Sequence, residues 1–143
     1  MSTQSFANHT RWHAPFHFFV VPVLIINFIW SVVDLIRGPG WYSARFAAVS
    51  IALIVLATLV RLNPLRAQDR LIRLEERLRC QRVLSPTMAA QAQNLSEPQF
   101  IALRFAPDEE LEEIVGAIVA GKLAKPVDIK KAIKNWRADT FRV

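Results

Sequence analysis

Hydrophobic residues are concentrated in two long runs in the first half of the chain. The first run covers residues 14–36 and the second covers residues 44–62, and the charged residues within them lie near their ends. A bilayer core of roughly 30 Å is crossed by about 20 mostly apolar helical residues. The pattern therefore predicts a transmembrane hairpin with spans at 14–36 and 44–62, preceded by an interfacial segment at 1–13.

The pattern changes after the second run, because leucines now recur at three- and four-residue spacing among charged residues. This spacing is typical of an amphipathic helix, which we predict at residues 63–84 as a membrane-proximal basic helix. Its interaction candidates form two parallel rows: Leu71, Leu74 and Leu78, and Arg70, Arg73 and Arg77. Three uses fit the leucines: a docking face for the residues that follow, dimerisation, or contact with anionic lipid headgroups. Acidic residues dilute the basic face, which favours the docking face first, a dimer second and lipid third.

The remaining residues predict a linker at 85–95 and a small helical tail at 96–143. Ser96 begins the first tail helix as the N-cap of a capping box, and Asp108 is expected to cap the second. The second helix has core positions at i, i+3, i+4, i+7 and i+8: Leu111, Ile114, Val115, Ile118 and Val119. A third helix from about Val127 is expected to bury three side chains: Ile129, Ile133 and Trp136.

Together these elements predict an all-α protein: a two-helix transmembrane hairpin, a basic amphipathic helix and a small cytoplasmic three-helix tail. Three short helices make a thin core on their own. We therefore expect them to fold on the leucines of the membrane-proximal helix, with Leu74 buried against the tail. Trp136 is a further interaction candidate, since it lies near the end of the last helix.

The positive charge lies beside the second span. The chain has a net charge of +6, and residues 64–84 alone contribute +3, whereas residues 85–143 are neutral. Basic residues flank membrane spans on the cytoplasmic side. We therefore expect a multi-pass membrane protein with both termini in the cytoplasm. The same distribution explains the basic character without a nucleic acid, and we expect no nucleic-acid partner.

Three polar residues lie within the predicted spans. Asn27 and Ser31 share one helical face, and Ser50 lies at the matching depth of the second span. Side chains of this kind form hydrogen bonds between transmembrane helices. A transport pathway would need ionisable groups in mid-membrane, so we interpret these residues as intramembrane packing contacts.

Three histidines precede or begin the first span, and His9, His13 and His17 are spaced by four residues. On one helix this spacing would place three imidazoles on one face, as in a metal site. Pro15 argues against a continuous helix there, and the neighbouring aromatic residues favour an interfacial belt. Haem would need an opposing ligand that the second span lacks. We therefore expect no cofactor, with these histidines as the metal candidates.

Four stretches carry a resemblance: RAQDRLIRLEERLR at 66–79, QFIALRFAPDEEL at 99–111, IKKAIKNWRADTFRV at 129–143, and with them ANHTRWHAPFHFF at 7–19. Together they resemble a family of small bacterial two-span membrane proteins of unknown function. The resemblance covers nearly the whole chain and implies a bacterial inner-membrane hairpin with a cytoplasmic helical tail, without implying any catalytic residue, cofactor or substrate. Its most specific residues are Gln68, Asp69, Arg70, Arg73, Glu75, Glu76 and Arg77, then Ala102, Leu103, Arg104, Phe105, Asp108, Glu109 and Glu110, and finally Trp136, Asp139 and Arg142.

Two classes of function follow from these observations. The first is a non-enzymatic membrane protein whose cytoplasmic helices bind each other or a partner, with the bilayer and a homo-oligomer or another membrane protein as partners. The alternative is a small membrane-bound metal protein or enzyme that uses the N-terminal histidines. The sequence favours the first class, since it has no nucleophile and base pair, phosphate-binding loop or HExxH motif.

Overall fold

The computed structural model describes residues 5–6 and 12–139, and its regular elements are all helical. A π-helical turn at Phe16–Val20 leads into the first α-helix. The α-helices of the described residues are α1 Val21–Arg37, α2 Trp41–Val83, α3 Pro86–Ala92, α4 Glu97–Leu103, α5 Asp108–Val119 and α6 Pro126–Ala132. No strand occurs in these residues, so the all-α fold class is confirmed.

The chain divides into two compact units. The hairpin unit comprises the described residues within 11–64, and the tail unit comprises the described residues from Leu65 onward together with Ser5 and Phe6. In the tail unit the ammonium nitrogen of Lys131 lies 5.7 Å from the ring centre of Phe6, which is within cation–π range. An N-terminal side chain therefore contacts α6.

The hairpin unit contains α1, a tight turn and the first part of α2. Gly38 ends α1 by donating its N–H to the carbonyl of Asp34 over 2.9 Å. The Ser43 hydroxyl accepts the N–H of Gly40 at 3.1 Å and lies 2.8 Å from the carbonyl of Gly38, to which it donates. These bonds satisfy backbone groups at the turn, and α2 begins at Trp41, three residues before the predicted span.

Each helix of the hairpin unit contains an apolar stretch that is long enough to cross a bilayer. The candidate spans lie in Phe16–Arg37 and Trp41–Val83, and only 6% and 11% of the residues in their most apolar windows are buried. A core helix of a soluble protein would bury most of that surface. The two apolar helices that the sequence predicts are therefore present, with their hydrophobic side chains facing outward.

The predicted membrane-proximal helix is the C-terminal part of α2 in this structure. α2 is a single helix of 43 residues with Pro64 inside it. Proline removes one backbone donor, yet it does not end the helix here. The residues of the tail unit therefore follow those of the second apolar run without a break in secondary structure.

The tail unit has its own hydrophobic core. α3 contacts α5, and α6 contacts both α4 and α5. The largest fully buried side chains are Phe100, Phe105, Leu103, Leu111, Ile129, Val115 and Cys80. Side chains from α2, α4, α5 and α6 thus meet in one cluster, which continues to Leu84, Leu95, Ile114, Ile118 and Ile133.

The predicted linker at 85–95 contains α3. Ala92 is fully buried and Leu95 is 8% exposed, so this segment contributes to the core. The hydroxyl of Ser85 donates to a carboxylate oxygen of Glu112 over 2.9 Å. Small and amide-bearing residues predict a linker, but here tertiary contacts stabilise a short helix.

Two details of α5 differ from the sequence interpretation. Val119 is 45% exposed, because it lies at the end of the helix beyond the core. Asp108 is the first residue of α5, and Pro107 occupies the N-cap position. Gly121, with a φ of 75°, follows the helix in the left-handed conformation that favours glycine.

The last helix is shorter than the sequence predicts, because a carboxylate of α5 binds the chain just after it. α6 ends at Ala132. Glu110 accepts the backbone N–H groups of Lys134 and Asn135, each over 2.9 Å. The backbone N–H of Arg137 donates to the carbonyl of Phe105 over 2.8 Å. These tertiary bonds replace the helical bonds that would continue α6.

The expected docking of the tail on the leucines of α2 is wrong. Leu71, Leu74 and Leu78 are 56%, 55% and 57% exposed. The tail packs instead on another face of α2, whose buried residues are Ile72, Glu76, Arg79 and Cys80, and on Leu84 directly after the helix. The docking face is partly charged, and its charges are compensated by groups of the tail rather than by water.

Candidate functional site

The three polar residues of the predicted spans meet inside the hairpin unit. The hydroxyl of Ser50 donates to the side-chain oxygen of Asn27 over 2.7 Å, and its oxygen lies 2.9 Å from that of Ser31. Ser31 and Ser50 are 7% and 3% exposed. The Ser31 hydroxyl donates to the carbonyl of Asn27, and the Ser50 oxygen also lies 2.9 Å from the carbonyl of Phe46, so the single Ser50 proton is shared between two acceptors. Both serine hydroxyls are therefore hydrogen-bonded between two apolar helices.

The histidines do not form a metal site in the described residues. The Nδ1 atom of His17 lies 3.0 Å from the carbonyl oxygen of His13, and its ring makes an edge contact with Trp12 at 4.9 Å. His9 lies outside the described residues. Among the residues described, no group of three or more His, Cys, Asp or Glu side chains is placed to hold a metal ion.

The leucine stripe, which we define as Leu71, Leu74 and Leu78, faces away from the tail. Two of the arginines predicted beside it contact the tail instead. A guanidinium nitrogen of Arg73 lies 3.1 Å from a carboxylate oxygen of Glu97, and the guanidinium of Arg77 lies 5.3 Å from the ring centre of Phe100. Arg70 remains exposed beside the leucine stripe.

A buried ion cluster lies on the opposite side of α2, with Arg79 at its centre. The Nε atom donates to Asp108 over 2.6 Å, and the two terminal nitrogens donate to Glu76 over 2.9 Å and to the carbonyl of Ala106 over 2.7 Å. The Arg79 side chain is 5% exposed and that of Glu76 is 4% exposed. One guanidinium thus joins α2 to the segment that begins α5, using the planar fork of donors that arginine provides.

The carboxylate of Glu76 has two cationic neighbours. Besides Arg79, a guanidinium nitrogen of Arg137 lies 3.6 Å from its other oxygen. Burial raises the pKa of Glu76 above its ordinary value, although both arginines act in the opposite direction. The hydrogen bond from Arg79 lowers the pKa of Asp108 below its ordinary value. The two acids therefore differ because only Glu76 is removed from water.

A polar cleft of about 310 Å³ borders this ion cluster. Arg104 and Asp139 form an ion pair across 3.3 Å on its wall. The charged side chains that line the cleft are Glu75, Glu76, Arg104, Arg137 and Asp139. Acidic and basic side chains face each other in this cleft. Their attraction holds the segment after α6 against α2.

An aromatic contact supports the same junction. The rings of Phe105 and Trp136 lie 4.8 Å apart between their centres, and the Arg104 guanidinium lies 4.5 Å from the Phe105 ring centre. Trp136 is only partly buried and packs against the core from outside. The structure therefore places this predicted interaction candidate in an internal contact of the tail.

Cys80 is fully buried beside the ion cluster. Burial, with a smaller contribution from the nearby Glu76 charge, raises the pKa of the Cys80 thiol to about 11. Nucleophilic cysteines lie in electropositive, accessible surroundings that lower the pKa. The surroundings of Cys80 have the opposite effect and keep its thiol protonated.

Sequence reasoning missed the central role of Arg79. It lies one residue after Leu78 and resembles the other arginines of α2 in the sequence, so periodicity alone does not distinguish it. The signal that was available is its spacing from Glu76: i, i+3 neighbours lie on one helical face.

Three of the stretches that carry the family resemblance converge at this junction. Glu76 comes from the first stretch, Arg104 and Asp108 come from the second, and Trp136 and Asp139 come from the third. No curated protein and no solved structure gives a significant match to the chain. The model of a family of unknown function, DUF6526, matches residues 1–143, the full length of the chain. The chain therefore belongs to the DUF6526 family.

Proposed function

We propose that this protein is a non-enzymatic integral membrane protein whose hairpin unit anchors it in the bilayer and whose tail unit binds another protein molecule. The observation that carries the proposal is the leucine stripe, in which three leucines are 55–57% exposed although the tail is already folded on α2. A contiguous exposed apolar patch on a folded surface is a mark of an interaction site. In this proposal the C-terminal part of α2 is the basic membrane-proximal helix.

The hairpin unit supports membrane insertion through its reversed pattern of burial. Its outward-facing residues include Phe18, Phe19, Trp30, Ile36 and Val60, each more than 60% exposed. Lipid tails satisfy such side chains, whereas water does not. The hydroxyls of Ser31 and Ser50 are buried between the helices and bonded there, whereas lipid would leave them unsatisfied.

The orientation follows from the arginines. Arg66, Arg70 and Arg73 follow the second apolar run, whereas only Arg37 and Arg45 flank the turn between the runs. By the positive-inside rule both termini are cytoplasmic. The family resemblance adds a bacterial inner membrane as the location in this proposal.

The charges of the tail support a binding role over a catalytic one. Arg79 is held by three acceptors, and the carboxylate of Glu76 is held between two arginines. Groups fixed in this way hold elements together, whereas a catalytic base keeps a hydrogen-bonding position directed at its substrate. The leucine stripe, by contrast, is an apolar row that no other described segment of the chain covers.

Reporter fusions test the membrane part of the proposal. A reporter inserted at residue 40 should lie on the side opposite to a reporter fused after residue 143, with the second in the cytoplasm. Recovery of the intact protein in the soluble fraction contradicts the proposal, and so does placement of both reporters on one side.

Photocrosslinking tests the binding part. A photoreactive amino acid at position 74 in native membranes should give an adduct of protein size, since Leu74 belongs to the leucine stripe. The matched control is position 66, which is also exposed on α2 but lies on another face. Only lipid adducts at position 74, or equal protein adducts at both positions, contradict a specific binding surface.

A further inference from the structure

We infer that the leucine stripe binds the leucine stripe of a second copy of this chain, with the two α2 helices side by side and parallel. The inference rests on the proposed function and names its partner. Three observations carry it: the exposure of the leucines, the charges that flank the stripe, and the use of the neighbouring arginines by the tail.

The parallel arrangement is compatible with two-fold symmetry. A two-fold axis that runs along the C-terminal parts of two α2 helices brings the leucine stripe of one chain against that of the other. Leu74 of one chain then lies beside Leu74 of the other, and each leucine stripe covers the stripe of its partner.

The charges beside the leucines fit this register. If Leu71 and Leu78 occupy heptad position a and Leu74 occupies position d, then Arg70 is at position g and Glu75 is at position e. In a parallel pair, a g residue faces the e residue five positions later in the other helix. Arg70 of each copy therefore faces Glu75 of the other, and both side chains are exposed in the single chain.

The next pair in the register is Arg77 with Arg82, which would repel if both charges faced the partner. The tail removes this conflict, because the Arg77 guanidinium lies 5.3 Å from the ring centre of Phe100. Its Nε atom is buried from solvent. Arg77 is thus directed toward its own tail, and Arg82 alone faces the second copy at this level.

A lipid surface fits the leucine stripe less well than a second copy. Anionic lipid would be attracted by a row of free arginines. Arg73 is paired with Glu97, Arg77 is on Phe100, and Arg79 is buried among acceptors. Next to the leucines there remain Arg82 and the pair Arg70 with Glu75, and this mixed-sign pair matches another copy of itself.

The short length of the stripe is compatible with a membrane-bound dimer. Two heptads are few for a coiled coil of free helices. Anchoring by the hairpin confines the copies to one plane and orientation, which raises their effective concentration without any added contact. Association should therefore depend on the membrane anchor as well as on the leucines.

Cysteine crosslinking tests the contact. In isolated native membranes treated with an added thiol oxidant such as copper phenanthroline, Leu74→Cys should form a disulfide-linked species of twice the 16.3 kDa chain mass. The matched control is Arg66→Cys, and the wild type serves as a second control because its Cys80 is fully buried. An absent dimer with Leu74→Cys, or equal dimer with Arg66→Cys, overturns the inference. A photocrosslink from position 74 to a different protein also overturns it, yet leaves the proposed function standing.

Charge reversal tests the register. Arg70→Glu and Glu75→Arg should each weaken dimerisation by about tenfold at low salt, because two symmetry-related surface pairs change together. The double variant R70E/E75R should regain the wild-type dissociation constant, measured by sedimentation in detergent. Leu74→Asp should abolish the dimer while the tail stays protease-resistant, since the leucine is exposed. A double variant no tighter than the single variants overturns the parallel register.

Discussion

The two units of this protein place polar and apolar groups in opposite ways. In the hairpin unit most large hydrophobic side chains face outward, and the buried residues include Ser31 and Ser50. In the tail unit the aromatic and aliphatic side chains form the core, and charged groups such as Arg79 and Glu76 lie at its margin with only 5% and 4% of their side chains exposed. The hairpin unit therefore has the burial pattern expected of a protein in lipid, and the tail unit has the pattern expected of a protein in water.

The difference also concerns how much each unit depends on its polar contacts. Hydrogen bonds between transmembrane helices are worth about 0.6 kcal/mol on average. Removing one partner of a buried ion pair costs about 3–5 kcal/mol, because the other charge stays buried without compensation. The polar contacts of the hairpin unit should therefore be dispensable, whereas those of the tail unit should not.

The largest expected effect is that of Arg79→Ala. This change leaves the buried carboxylate of Glu76 with only the more distant Arg137, and we expect the tail to lose about 3–5 kcal/mol of unfolding free energy. Pulse proteolysis of the full chain in urea and detergent measures that loss. The matched control is Arg82→Ala, three residues away and exposed, which should change stability by less than about 0.5 kcal/mol. Equal stability of the two variants would show that the ion cluster does not hold the tail.

The second effect compares two residues on opposite faces of α2. Ile72 is 7% exposed and Leu74 is 55% exposed. We expect Ile72→Ala to cost about 2–5 kcal/mol through loss of packing, and Leu74→Ala to change tail stability by less than about 0.5 kcal/mol. Protease cleavage near Phe100 and Phe105 should accelerate only in the first variant. The reverse result would restore the leucine stripe as the docking face of the tail.

The smallest effect is expected in the hairpin unit. Ser50→Ala removes the hydrogen bond to Asn27, and we expect a cost of about 0.6 kcal/mol in helix association. Thr58→Ala is a suitable control, because the Thr58 hydroxyl donates to the carbonyl of Ile54 in its own helix. Both losses can be measured by unfolding in mixed detergent micelles. A cost for Ser50→Ala as large as that for Arg79→Ala would remove the contrast between the units.

Elements with strong periodicity were predictable from the sequence. In α5 four of five predicted core positions are buried, and the fifth, Val119, lies at the helix end where the core stops. The capping box at Ser96 is also present, with Gln99 accepting the Ser96 N–H over 2.8 Å. Local patterns of this kind depend on neighbours within one or two turns, which the sequence displays directly.

The docking face of α2 was not predictable in the same way. A hydrophobicity pattern selects Leu71, Leu74 and Leu78, whereas the face that contacts the tail includes Glu76 and Arg79. Charged residues are seldom buried unless they are paired, and the partners of Arg79 in the tail lie 27–29 positions later in the chain. The period of the hydrophobic residues does not reveal such charge pairing. The end of α6 was missed for a related reason, since Glu110 acts from another helix.

The buried thiol of Cys80 is a built-in probe of how often the tail unit opens. Cys80 is the sole cysteine of the chain, it is fully buried, and its pKa is about 11. At neutral pH roughly one such thiol in ten thousand is the reactive thiolate, against a few in a hundred for a free cysteine. Alkylation by a membrane-permeant reagent therefore records how often the tail opens, and it does so in unmodified protein within intact cells.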